Sequence, residues 1–214
     1  MTLYCDVDGT LLDSSARHEA LLRDLFREDG LTWPAAAPDY LTYKADGHST
    51  RAWLLEAGLT EAQAADIAAR WQAKIETPPY LAMDRAYPDA IPFLQAVHGQ
   101  GDAVVLVSAR QDADALRDTL ARCALLPLVE ELLVVLPVHA ADEKAARLRG
   151  KIDPGDVLVG DTEADLNAAR QLGLPCYLLD RGFRSRRYWQ RQGVESYGSL
   201  SAVWAAMTHQ NKED

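Results

Sequence analysis

Apolar residues along this chain follow helical spacing in its first third and gather into short unbroken runs after Pro88. TLYCDV at 2–7 reads as a short buried strand, followed by the loop DGTLLDSS. From Ser15 to Glu28, residues Ala20, Leu21, Leu22, Leu25 and Phe26 recur at the spacing of one helix face. The stretch 32–48, with Pro34, Pro38 and Gly47, reads as irregular. STRAWLLEA at 49–57 predicts a short helix ended by Gly58. Thr60 with Gln63 forms a capping-box signature for a helix over 61–75, which Pro78 and Pro79 stop. Residues 14–85 are therefore expected to be helical, with no strand.

Beyond Pro88 the runs AVVLVS (103–108), LLVVL (132–136), DVLVG (156–160) and PCYLLD (175–180) predict strands. Helices are expected between them near 88–98, 112–122, 141–149 and 163–172, with a last one over 199–208. Short Val- and Leu-rich strands alternating with helices predict a parallel sheet covered on both faces. The fold class is α/β: a Rossmann-like core over 1–13 and 86–214, interrupted after its first strand by a small helical cap over 14–85.

In open parallel sheets, ligands bind at the carboxyl ends of the strands. Asp6 and Asp8 end the first strand here, Ser108 ends the second, and Asp161 directly follows the strand at 156–160. In Asp6-Val7-Asp8-Gly9-Thr10 the two carboxylates lie two residues apart and the chain turns at Gly9, so both can reach one centre. Carboxylates this close call for a cation, and an all-oxygen ligand set favours Mg²⁺. Asp161 and Asp165 supply further oxygens from a strand-to-helix junction. Read singly, each Asp is equally a turn former or helix cap. Ser108, followed by Ala109 and Arg110, reads as a hydroxyl with N–H groups at a helix start, suited to a phosphate oxygen or to simple capping. Lys144, in DEKAARL, can neutralise a phosphate; Arg147 and Lys151 compete for that role. In the mechanism these parts compose, Asp6 attacks phosphorus to form an aspartyl phosphate. Asp8 serves as acid and then base, Asp161 holds the metal, and Asp165 supports it directly or through water.

The 32 acidic and 22 basic residues among 214 give a net charge of −10, which argues against nucleic acid or a membrane surface as main partner. An anionic substrate then needs a local cationic cluster. Cys5, Cys123 and Cys176 form no CxxC pair, which argues against zinc or a disulfide framework and for a cytoplasmic setting. Neither a signal peptide nor a spanning segment is expected.

DVDGT at 6–10, strand-final Ser108, Lys144 and GDTEAD at 160–165 together resemble the haloacid dehalogenase-like hydrolase superfamily, in that order and over the whole chain. The helical insert resembles a C1-type cap, which places phosphoglycolate-phosphatase-like and β-phosphoglucomutase-like members nearest. The resemblance implies Mg²⁺, an Asp6 nucleophile, an Asp8 acid/base whose backbone carbonyl meets the metal, and metal ligands Asp6, Asp8, Asp161 and Asp165. The expected phosphate-binding set is Gly9, Thr10, Ser108, Ala109 and Lys144; Ala145 stands where many relatives carry Pro after the lysine. Residues 43–51 (YKADGHSTR) resemble the cap loop that selects substrate, with Lys44, His48 and Arg51 as candidate contacts. Trp33, Trp53 and Trp71 read as cap core.

The expected activity is hydrolysis of a small phosphorylated metabolite by a monomer or homodimer. A phosphotransferase or mutase would use the same Asp6 and is distinguished by isomer formation rather than phosphate release. A non-catalytic binding protein is disfavoured by the complete motif set, and a dehalogenase by the second Asp at position 8.

Overall fold

Apolar side chains alternate along the strands of this computed structural model, which describes residues 1–210. The strands are β1 (Thr2–Cys5), β2 (Leu12–Asp13), β3 (Arg85–Ala86), β4 (Ala103–Ala109), β5 (Glu131–Val135), β6 (Val157–Gly160) and β7 (Cys176–Leu178). The helices are α1 (Ser15–Glu28), α2 (Tyr40–Ala45), α3 (Thr50–Glu56), α4 (Glu61–Lys74), α5 (Pro78–Leu81) and α6 (Ala90–Gly99). They continue with α7 (Ala113–Arg122), α8 (Ala140–Leu148), α9 (Glu163–Leu172), α10 (Arg186–Arg191) and α11 (Leu200–Gln210).

Five strands form a parallel sheet in the order β5-β4-β1-β6-β7. Cys5 pairs with Leu106 on one side and with Val159 on the other, so β1 is central. The chain proceeds outward from β1 through β4 to β5, then crosses to β6 and β7. The carboxyl end of β1 is therefore a topological switch point, where a crevice opens. Leu3, Cys5, Val104 and Leu106 join a core cluster with Phe93, Leu116 and Val203 from α6, α7 and α11. Tyr4, Val105 and Val107 face the other way, into a cluster with Leu148 of α8 and Ala169 of α9. This period of two, with both faces covered, is why these strands carry almost no exposed polar residue.

The insert has a third cluster of its own, joining Leu21, Leu22, Leu25, Trp53, Leu54 and Ile67. Phe26, Trp33, Trp53 and Tyr40 pack there in tilted and edge-on pairs, with neighbouring ring centroids 5.1–5.3 Å apart. Both chain crossings between insert and sheet pass through the antiparallel β2–β3 pair, Leu12 opposite Ala86 and Asp13 opposite Arg85.

Several sequence expectations need correction. The stretch 32–48 contains a helix, α2, because Asp39 caps it by accepting the Thr42 N–H. Pro78 and Pro79 do stop α4, but they also begin α5, where a missing N–H costs nothing in the first turn. Arg85 is a strand residue, so the insert ends in a short strand. The polar stretch RRYWQR forms α10, a helix the apolar pattern did not announce. Among the described residues, no helix is long and apolar enough to cross a membrane.

Candidate functional site

Asp6 lies one residue beyond β1, its N–H donating to the Val159 carbonyl at 2.8 Å. The chain then turns sharply at Gly9, where φ is +81°. A Cβ at Gly9 would overlap the Asp161 carboxylate, and one at Gly182 would overlap both that carboxylate and the Gly9 carbonyl. Only glycines let the first turn and the loop after β7 close around Asp161. Asp161 Oδ2 accepts the Phe183 N–H at 2.5 Å, and Oδ1 accepts the Thr10 hydroxyl at 3.5 Å.

Lys144 projects from α8 into this centre. Its Nζ donates to Asp6 Oδ1 at 2.7 Å and to Asp165 Oδ1 at 2.6 Å. Asp165 Oδ2 accepts the Asp161 N–H, the Thr162 N–H and the Thr162 hydroxyl, which closes a capping box on α9. One carboxylate therefore caps a helix, anchors the lysine and orients the backbone of Asp161. Lys151 is exposed and paired with Glu131, so the structure brings Lys144, not Lys151, to Asp6.

Asp6, Asp161 and Asp165 offer carboxylate oxygens all within 4.8 Å of one another, and all three residues are buried. Burial, opposed by Lys144 and reinforced by Asp165, pushes the Asp6 carboxyl up to about 7. Burial, then Asp6 and Asp165, drive Asp161 well above the carboxylate range. Burial disfavours the Lys144 ammonium, but Asp165 and Asp6 outweigh it and hold the proton more firmly than usual. One lysine does not compensate three carboxylates, and the excess negative charge fits a divalent cation.

Asp8 turns away from this centre. Arg110 grips it bidentately, Nε to Oδ2 and Nη2 to Oδ1, both at 2.7 Å. Arg17 Nη2 adds a bond to Asp8 Oδ1 at 2.8 Å. Both arginines also pair with Asp84, Arg110 Nη2 at 2.9 Å and Arg17 Nε at 3.2 Å. Burial opposes ionisation of Asp8, but Arg110 and then Arg17 win and hold it far below the usual carboxylate range. Asp8, Arg17 and Arg110 line a cavity of about 260 Å³ between sheet and insert, whose wall also includes His18, Trp71 and Phe183.

The other expected site residues divide clearly. Ser108 lies within β4 and caps nothing; Asp112 caps α7. Its hydroxyl is buried without a hydrogen-bond partner among the described residues, an orphan suited to a phosphate oxygen. Ala109 lines the cavity. The Gly9 and Thr10 N–H groups donate to the Leu12 and Val7 carbonyls, so they shape the turn. Lys44 stands over the Trp71 and Phe183 rings at 5.3 and 5.9 Å, and burial lowers its pKa to about 8. Arg51 instead pairs with Glu61 on the surface, and exposed His48 stacks on Tyr43, so neither is brought to the cavity. Trp71 packs against the apolar cluster of the insert, as expected, and also forms part of the cavity wall. Arg17, Asp84, Arg110 and Phe183 were not foreseen as site residues. Arg17 had a readable signal: it sits on the apolar stripe of α1, four residues before Leu21.

The sequence profile of the haloacid dehalogenase-like hydrolases matches residues 3–170. The chain belongs to this family. A phosphoglycolate phosphatase of Rhodobacter capsulatus is 25% identical over 197 residues, covering 85% of each chain. A haloacid dehalogenase-like hydrolase of Streptococcus pneumoniae superposes with a TM-score of 0.72 at 20% identity, covering 96% of this chain and 97% of its own. Protein Tyrosine Kinase A of Mycobacterium tuberculosis gives the same TM-score at 18% identity, with coverage of 96% and 97%. A hydrolase and a protein named for kinase activity share this fold, so chemistry must be argued from the site. In this haloacid dehalogenase-like hydrolase the acidic centre, the buried lysine and the orphan serine lie together at the switch point.

Proposed function

We propose that this hydrolase is a Mg²⁺-dependent phosphatase that cleaves a small phosphorylated metabolite through an aspartyl phosphate on Asp6. The observation that carries the reading is the buried Lys144 bridge between Asp6 and Asp165, inside a cluster whose negative charge exceeds what one lysine compensates. Lys144 takes Asp6 Oδ1, which leaves Oδ2 for attack on phosphorus. As the new P–O bond forms, the bond to the leaving oxygen breaks, and that oxygen takes a proton from Asp8, which must first leave the two arginines and pick up a proton from solvent. Water then attacks the phosphoryl group, returns a proton to Asp8 and frees Asp6. Lys144 and the Ser108 hydroxyl hold the phosphoryl oxygens. Asp6, Asp161 and the Asp8 carbonyl, with Asp165 as support, would hold Mg²⁺, which when bound would supply positive charge between an anionic ester and an anionic nucleophile.

The helical insert over 14–85 is the cap of this site, and Lys44 is its contact to the leaving group. Phosphoglycolate is the first ester to assay, on the strength of the Rhodobacter capsulatus relative. An aryl phosphate assay tests the chemistry: hydrolysis with Mg²⁺, loss with EDTA, and a fall on the order of 10⁴-fold in Asp6→Asn. Activity that survives Asp6→Asn overturns the nucleophile assignment.

A further inference from the structure

Asp8 cannot face a leaving group while two guanidiniums hold both its oxygens. We infer that Arg17 and Arg110 are specificity-determining residues that read a carboxylate on the leaving group, and that this carboxylate takes the place of Asp8 on the two guanidiniums. The inference rests on the phosphatase reading and names its substrate class: phosphate esters whose leaving group carries one carboxylate close to the ester oxygen.

The geometry supports the exchange in three ways. Arg110 is 2% exposed, lines the cavity, and keeps its Nη1 without a hydrogen-bond partner among the described residues. A buried guanidinium presents a planar fork that matches a carboxylate, so the residue already has the form of an acid receptor. Secondly, the two guanidiniums already face Asp8 and Asp84, Glu76 also lines the cavity with its carboxylate on the Gln111 and Asp112 N–H groups, and a further carboxylate in that space would be repelled. One must leave, and the Asp84 side chain is fully buried whereas that of Asp8 is 17% exposed. Asp8 therefore swings out and Asp84 stays to orient both arginines. Thirdly, the exchange conserves charge only if the incoming group is a monoanion. A second phosphate would bring more negative charge than Asp8 removes, so the geometry favours a carboxylate. The cavity of about 260 Å³, walled in part by Trp71, His18 and Phe183, has room for a small acid. An ester without the second anion leaves Asp8 in the clamp.

Two measurements test this. In the first, kcat/KM is compared for phosphoglycolate and for ethyl phosphate, which lacks the carboxylate. The expected preference is ten-fold or more for phosphoglycolate, collapsing toward unity in Arg110→Met and Arg17→Met. Arg110→Lys keeps a cation but not the fork, and serves if the Met variants do not fold; its preference also falls. Equal rates on the two esters in the wild type, or proportional losses on both in the variants, overturn the inference. In the second, glycolate is titrated into cation-free protein while Trp71 fluorescence is followed, with Trp71→Phe as control. Saturable quenching that disappears in Arg110→Lys supports the site; absence of quenching, or quenching unchanged in Arg110→Lys, overturns it. Failure to hydrolyse any phosphate ester, phosphoglycolate included, sinks the phosphatase reading alone, because the glycolate titration needs no turnover.

Discussion

Lys144 is the residue on which the electrostatics of the centre depend. It is buried and holds two buried carboxylates at 2.6–2.7 Å. A buried ion pair adds little over a well-packed apolar pair, yet removing one partner is costly because charge is left uncompensated. Lys144→Met should therefore lower stability by about 3–5 kcal/mol in urea unfolding. An unchanged unfolding midpoint would show that water or relaxation solvates the Asp6–Asp165 pair. Asp165 could be read in the sequence as an acid near a helix start, and Lys144 as one of several basic residues. That Asp165 also caps α9 and tethers Lys144 required the two helices to be packed side by side.

At the scale of elements, the insert and the sheet have separate apolar clusters, and the α1–α4 cluster draws no residue from the sheet. Trp53 is 1% exposed within it and packs against Phe26, Trp33 and Tyr40. Trp53→Ala should destabilise the insert by about 3–5 kcal/mol. Hydrogen exchange should show that loss in α1, α3 and α4 before β1, β4 and β6. Uniform acceleration across both would mean that the two parts unfold as one. The segment after β7 ties them together: Ser185 N–H donates to the Ala45 carbonyl at 2.8 Å and Arg184 Nη1 to the Lys44 carbonyl at 3.3 Å. Phe183 in the same loop touches Asp161 and stacks on His18 with centroids 4.6 Å apart. The acidic centre and the insert thus share one loop.

For the molecule as a whole, a net charge of −10 sets an anionic substrate against the global field. Arg17, Arg110, Lys44 and Lys144 gather near the crevice and oppose that field locally. The acidic centre also makes stability depend on pH. Folding raises the Asp6 carboxyl from its ordinary value of about 3.9 to about 7, mainly through burial. Between those values the folded protein holds a proton that the unfolded chain has released. Cation-free stability should therefore fall as pH rises from about 4 to 7. Divalent cations bind the ionised carboxylates, so Mg²⁺ should raise the melting temperature more at pH 8 than at pH 5. Thermal melts at the two pH values, with and without Mg²⁺, check this; an equal shift at both would dissociate the cation from these carboxylates.

The sequence alone determined the α/β class, the interruption after the first strand, and the strand-end positions of Asp6, Ser108 and Asp161. These follow from periodicity and chain direction, which are local properties. It also pointed to Asp8, but as a group facing the same centre as Asp6. Only the tertiary structure decided that Asp8 faces two arginines instead, one from α1 and one just beyond β4. It likewise selected Lys144 over Lys151, moved Arg51 and His48 to the surface, and brought Phe183 under the insert. The Arg110–Asp8, Lys144–Asp6 and Phe183–His18 contacts span long stretches of chain. Which charges meet there depends on how helices pack across the sheet, and no local spacing encodes that.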